Sequence, residues 1–118
     1  MSDKIYYITT PIYYVTDVPH IGNAYTTIVS DVLARHQRQR GRKVVFATGT
    51  DENAIKVAEA AQQAGMPPKE FVDKLAAAFV DVWESLHIKY DAFIRTTEPR
   101  HIAVAQRAFE ILRDRGDI

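Results

Sequence analysis

KIYYITTPIYYVTDVPHIGNAYTTIVSDVL (residues 4–33) changes its hydrophobic period midway, and that change decides the fold. KIYYITTPI (4–12) is rich in aromatic and β-branched residues and meets Pro11 near its end, which reads as a buried strand. From Ala24 onward, Tyr25, Ile28, Val29, Val32 and Leu33 recur at helical spacing, predicting a helix with one buried face that stops at Gly41. His36 continues that face as a packing or network residue. VPHIGNAY (18–25) is therefore the junction between a strand and a helix.

The same alternation continues along the chain. KVVFAT (43–48) is a short apolar run broken by Gly49 and reads as a second strand. A second helix is expected from Glu52 to Ala64, ended by Gly65 and by the Pro67, Pro68 pair that opens a third. In that third helix Phe71, Val72, Leu75, Phe79, Val82, Trp83 and Leu86 form one wide apolar stripe. YDAFIR (90–95) reads as a third strand, and Thr97 is expected to cap a last helix carrying Ile102, Ala105, Phe109 and Leu112 up to Gly116. Strands and helices in this order predict an α/β fold, a Rossmann-like parallel sheet with crossover helices.

Composition sets the outer bounds. At 118 residues, 47% apolar and 25% charged, the chain has the make-up of one globular domain or part of a larger one. Fifteen basic residues balance fifteen acidic ones, so no global field draws a polyanion. The absence of cysteine excludes disulfides and thiolate metal sites. There is no secretory leader pattern and no run of apolar residues long enough to span a bilayer, so a cytoplasmic protein without a membrane partner is expected.

In open parallel sheets, ligands bind beyond the carboxyl ends of the strands, often at the N-terminus of the helix after the first strand. VPHIGNAY lies there. The helix dipole and unpaired N–H groups favour phosphate, and Gly22 allows close approach to the backbone. His20 has a donor for a phosphate oxygen, and Asn23 has the groups to cap the helix or touch a sugar. The plain alternative is that His20 and Asn23 are loop and cap residues and Gly22 relieves a turn. TGTDEN (48–53) reaches the same edge, where Asp51 or Glu52 offers a carboxylate for an ammonium group or, alternatively, only favours a helix N-terminus. Neither GxGxxG nor GxxxxGK occurs.

TPIYYVTDVPHIGNAYTTIVSDVLARHQRQRG, then FATGTDEN, then FIRTTEPRH resemble the N-terminal part of the catalytic domain of the methionyl-tRNA synthetases, which are class I aminoacyl-tRNA synthetases. HIGN is similar to the class motif HIGH, and TPIYY and GTDEN point to the methionine type. The resemblance implies that His20, Gly22 and Asn23 contact ATP and its phosphates, with His20 and Asn23 acting in catalysis. It implies that Ile12 and Tyr14 line the methionine side-chain pocket and that Asp51 receives the methionine ammonium group. Asn23 stands where the family commonly has a second histidine, and Asn53 and Ala54 depart from the commoner GTDEHG. The reaction so implied is attack by methionine carboxylate on the α-phosphorus of ATP, with Mg2+ assisting, then transfer of the methionyl group to tRNA(Met). No metal ligands are expected in the chain itself.

KMSKS, whose lysines hold phosphates in the family, is absent, as are the inserted connective and anticodon-binding parts. The 118 residues are therefore expected to form the N-terminal half of the nucleotide fold, with a bare sheet edge and an uncovered apolar face that favour self-association. Three other readings stay open: a non-catalytic half domain that binds ATP or an amino acid, an inert structural or interaction domain, and a leucine, isoleucine, valine or cysteine synthetase. The basic run RHQRQRGRK (35–43) reads as a solvated helix end rather than a nucleic-acid contact. Phe79 and Trp83 read as core, and His87 and His101 lack ligand-spaced partners.

Overall fold

The computed structural model describes residues 4–118. Its elements are β1 (Tyr6–Thr9), β2 (Tyr13–Tyr14), α1 (Ile21–Gln39), β3 (Val44–Asp51), α2 (Ile55–Gln63), α3 (Pro68–Ser85), β4 (Ala92–Arg95) and α4 (Pro99–Arg115). All pairings are parallel, as the alternation predicts, and β3 is common to all of them. β1 pairs with its first half, from Tyr6 opposite Val44 to Thr9 opposite Ala47, and β2 pairs with its end, Tyr14 opposite Asp51. β4 runs along its middle, from Ala92 opposite Ala47 to Arg95 opposite Thr50. The Ala47 carbonyl accepts from the Thr10 N–H, whereas those of Phe46 and Thr50 accept from Asp91 and Thr96. Successive peptides of a strand point to alternate sides, so β1 and β4 flank β3 on opposite sides.

Several boundaries differ from the sequence reading. The expected first strand ends at Thr9, ahead of Pro11, which has no N–H to give the ladder, and a two-residue β2 follows at Tyr13, beyond the segment read as strand. The second runs on through Gly49 to Asp51. A Cβ on Gly49 would lie 2.0 Å from the Ile94 carbonyl oxygen, so this glycine admits β4 rather than ending β3. α1 begins at Ile21, three residues earlier than expected, and α2 begins at Ile55, three later.

α3 buries the stripe its periodicity announces: Phe71, Val72, Leu75, Phe79 and Trp83 are in the core, and Val82 packs against it. Leu86, just past the last turn, is exposed. Tyr13 stacks on Phe79 at 5.9 Å between ring centroids, and Phe79 meets Trp83 edge-on at 5.8 Å.

α1 overturns its reading. Tyr25, Ile28, Val29, Val32 and Leu33 are all exposed, as is His36, while Thr27, Ser30, Asp31 and Ala34 face inward. The buried polar groups have partners: Thr27 Oγ1 bonds Tyr13 OH at 2.9 Å, Ser30 donates to the Thr26 carbonyl, and Asp31 accepts from the Lys89 N–H at 2.8 Å and Arg35 Nε at 2.5 Å. The basic run is not a freely solvated end either. Arg35 also donates to the His87 carbonyl, and Arg38 bonds Asp91 at 2.7 Å and the Lys89 carbonyl, so both arginines tie α1 to the segment entering β4.

Tyr13 touches Thr27 of α1 and Phe79 of α3, which places both helices on one face of the sheet. Tyr7 and Tyr14, one residue out of phase with the buried positions, are 65% and 58% exposed on the opposite face. α1 and α3 thus cover the same side of the sheet. α4 ends at Gly116 (φ 81°) as expected but buries no residue.

Candidate functional site

The first turn of α1 is built by a reciprocal cap. His20 is the N-cap, in extended conformation, and its Nδ1 accepts from the Gly22 N–H at 3.0 Å. Asn23 Oδ1 accepts from the His20 N–H at 3.0 Å, completing a capping box with histidine and asparagine in the roles usually taken by Ser/Thr and Glu/Gln. This is why the helix starts before Ala24. An accepting Nδ1 leaves the ring proton on Nε2, so His20 presents an N–H donor away from the helix backbone. Asn23 likewise keeps its amide N–H groups after its oxygen is engaged. The capping role and a ligand-binding role are therefore compatible, because each side chain caps with one atom and leaves another available.

Gly22 has a definite task in this arrangement. A Cβ there would lie 2.9 Å from His20 Cε1 and 3.1 Å from Nδ1, so only glycine lets the imidazole fold back onto the helix end. Tyr13, which the sequence reading did not single out, seats the turn on the sheet: its hydroxyl donates to the Asn23 carbonyl at 3.3 Å as well as bonding Thr27. An aromatic within TPIYYV beside the helix start was the available signal.

Ile12, Tyr14, His20 and Asn23 line one hollow of about 330 Å3, which Phe79 also borders. Gly22 adjoins it through His20. Asp51 does not line this hollow; it is the ladder partner of Tyr14 at the end of β3, half-buried. The structure thus brings four of the six candidate residues together around one hollow and sets Asp51 beside one of them.

Of the two acids in TGTDEN, Glu52 is committed elsewhere. Its side chain is 0% exposed and takes Arg95 Nε at 2.7 Å, Arg95 Nη2 at 3.1 Å, Thr50 Oγ1 at 2.8 Å and the Thr97 hydroxyl. Its backbone N–H donates to Thr96 Oγ1 at 2.8 Å, and Asn53 Nδ2 donates to the Thr96 carbonyl. α2 therefore cannot begin at Glu52, and Thr97 is no cap: Glu98 precedes α4, without a side-chain cap bond. Arg95 also reaches Asp73 at 2.6 Å. The hydrogen bond to Glu52, followed by that to Asp73, holds the guanidinium even further above its ordinary range, despite burial. Asp73 is held below the usual carboxylate range by hydrogen bonds from Lys69 first and Arg95 second. A larger groove of about 820 Å3, bordered by Glu52, Arg95, Thr97 and the start of α2, lies beside this network. The sequence reading missed it, because only the tertiary fold brings residues 52, 73 and 95 together.

Comparison with known proteins shows the family. The family profile described as tRNA synthetases class I (M) matches residues 6–118. The methionine–tRNA ligase of Halalkalibacterium halodurans is 52% identical over 117 residues, covering 99% of this chain and 18% of that protein. That of Thermotoga maritima is 52% identical over 113 residues, covering 96% of this chain and again 18% of the relative. Among solved structures, Mycobacterium tuberculosis methionyl-tRNA synthetase in complex with methionyl-adenylate superposes with a TM-score of 0.82 at 44% identity, over 83% of this chain and 19% of the other. The leucyl enzyme of Agrobacterium radiobacter, in its ternary complex, gives 0.86 at 25% identity over 94% of this chain and 15% of the other. The chain thus spans less than a fifth of the length of these relatives.

Proposed function

Because the chain belongs to the methionine-type class I tRNA synthetases, we propose that it is the N-terminal half of a catalytic domain that activates methionine with ATP and charges tRNA(Met) in the cytoplasm. The observation that carries the reading is the hollow where Ile12 and Tyr14 meet His20 and Asn23. The α-phosphate of ATP sits at the N-terminus of α1, where His20 Nε2–H and the Asn23 amide donate to oxygens that gain charge as methionine carboxylate attacks phosphorus. Gly22 keeps the imidazole in place. Ile12 and Tyr14 offer an apolar and aromatic wall for the thioether, and Asp51, beside Tyr14, takes the ammonium group. Pyrophosphate leaves, and the adenylate passes its methionyl group to the tRNA 3′ end with other parts of the longer protein.

This chain does little covalent chemistry; it orients the reactants and stabilises charge. Among the described residues, no group of three or more His, Cys, Asp or Glu side chains is arranged to hold a metal, so Mg2+ enters as part of the MgATP substrate. None of the described helices is long and apolar enough to cross a membrane. In isolation, the uncovered apolar surfaces bring a second copy of the chain into contact.

The test is methionine-dependent exchange of pyrophosphate into ATP. His20→Ala is expected to slow it about 100-fold, the loss from removing one donor to developing charge, and Asp51→Ala to raise the methionine requirement. Methionine-dependent stabilisation without exchange would favour the reading as a binding half domain; exchange driven by leucine, isoleucine, valine or cysteine instead would overturn the assignment of substrate.

A further inference from the structure

We propose that the buried Glu52 clamp is a positioning device that fixes the Asp51 carboxylate for the substrate ammonium group. The inference rests on the assignment of Asp51 made above and adds residues that do not touch the substrate. Asp51 lies between two buried neighbours, Thr50 and Glu52, that are bonded to each other. Both are also strapped to the segment after β4: the Thr50 carbonyl accepts from the Thr96 N–H at 3.3 Å, and the Glu52 N–H donates to Thr96 Oγ1 at 2.8 Å. The Glu52 carboxylate is saturated by Arg95, Thr50 and Thr97, so it is not available to an incoming ammonium group. Arg95 extends the strap to α3 through Asp73.

The result is a backbone held immediately before and after Asp51, while the Asp51 side chain makes no hydrogen bond or ion pair among the described residues. A carboxylate that must meet a cation in fixed geometry gains most when its supporting residues are locked by packing and hydrogen bonds. Glu52 and Arg95 supply that lock without contributing a ligand atom. This explains why two adjacent acids in TGTDEN have opposite fates, one buried and bonded, the other half-exposed beside Tyr14.

Calorimetric titration of the chain with methionine and with the same thioether acid lacking the amino group tests this. Glu52→Gln is expected to weaken methionine binding about tenfold, one charge-assisted hydrogen bond's worth, and to leave the deaminated acid unchanged. Placed on an Asp51→Asn background, it should have no further effect on methionine. Equal losses for both ligands, or an undiminished effect without Asp51, would reduce the clamp to a folding role and overturn the proposal. A wild-type chain that does not prefer methionine over the deaminated acid would overturn the Asp51 assignment and the clamp's role with it. A preference that survives Glu52→Gln intact would overturn the clamp alone. Should Glu52→Gln lose its folded circular-dichroism spectrum, Thr97→Val, which removes one donor and keeps the ion pair, carries the same comparison.

Discussion

His20 holds its structural role and its proposed chemical one on different atoms. Nδ1 closes the cap on α1, and the remaining Nε2–H is the donor proposed for phosphate. Gly22 is the residue on which this depends, since a methyl group there meets the imidazole at 2.9 Å. Gly22→Ala should therefore swing the ring off the helix end and cost about 1 kcal/mol, the usual worth of an N-cap, read from urea unfolding. In the same variant the Nε2–H preference of the imidazole should relax towards that of an unbonded ring, visible in long-range 15N correlation spectra at a pH where the ring is neutral. An unchanged tautomer would mean that the cap bond does not set it.

At the scale of elements, β3 is the strand on which the sheet is assembled, and at Gly49 it leaves no room for a side chain beside Ile94 of β4. Gly49→Ala should separate β3 from β4 and destabilise the fold by about 3 kcal/mol, the upper end for overpacking, with the loss concentrated in hydrogen-exchange protection of the Phe46-to-Thr50 and Ala92-to-Arg95 segments. The junction of α3 with β4 carries a pH dependence. Because Lys69 and Arg95 lower the Asp73 pKa from its ordinary 3.8, its carboxylate stabilises the fold above that value, and the contribution is lost as pH falls through the lower folded-state pKa. The stability gap between wild type and Asp73→Asn should accordingly be widest at neutral pH and close on strong acidification, as thermal melts at a series of pH values would show. α1 carries the opposite lesson from α3: periodicity found the helix but chose the wrong face, because Thr27 and Asp31 bond Tyr13 and Lys89 across the fold, Ser30 bonds the Thr26 carbonyl of its own helix, and none is penalised by burial.

The whole molecule exposes more surface than a finished domain of its mass. Its accessible area is 8139 Å2, against about 6,500 Å2 for a compact monomer of this mass. Its radius of gyration is 16.6 Å, against about 13.5 Å for a compact chain of this length. The surplus of about 1,600 Å2 on this one chain is about twice the ~800 Å2 that each partner gives to a standard protein interface. It includes the outer face of α1 and the exposed Tyr7 and Tyr14, and no residue of α4 is buried. The isolated chain should therefore sediment as a concentration-dependent dimer or larger species, and Val29→Lys with Leu33→Lys on the outer face of α1 should shift it towards monomer without lowering its unfolding midpoint. A monomer at all concentrations would show that these faces do not pair with one another.

Local periodicity and turn chemistry determined the number and order of the long helices, the parallel α/β class and the α3 stripe, because those depend on neighbours within a few residues. The motifs HIGN and GTDEN, read with TPIYY, pointed to the family and to the candidate residues Ile12, Tyr14, His20, Gly22, Asn23 and Asp51. Tertiary structure alone decided which face of α1 turns inward, that Gly49 is crossed by β4 rather than ending a strand, and that Glu52 is consumed by Arg95 and Thr97 while Asp51 is left free of them. Each of those outcomes turns on a partner more than 40 residues away or on a polar group satisfied across the fold, and no local pattern of apolar and polar residues encodes that.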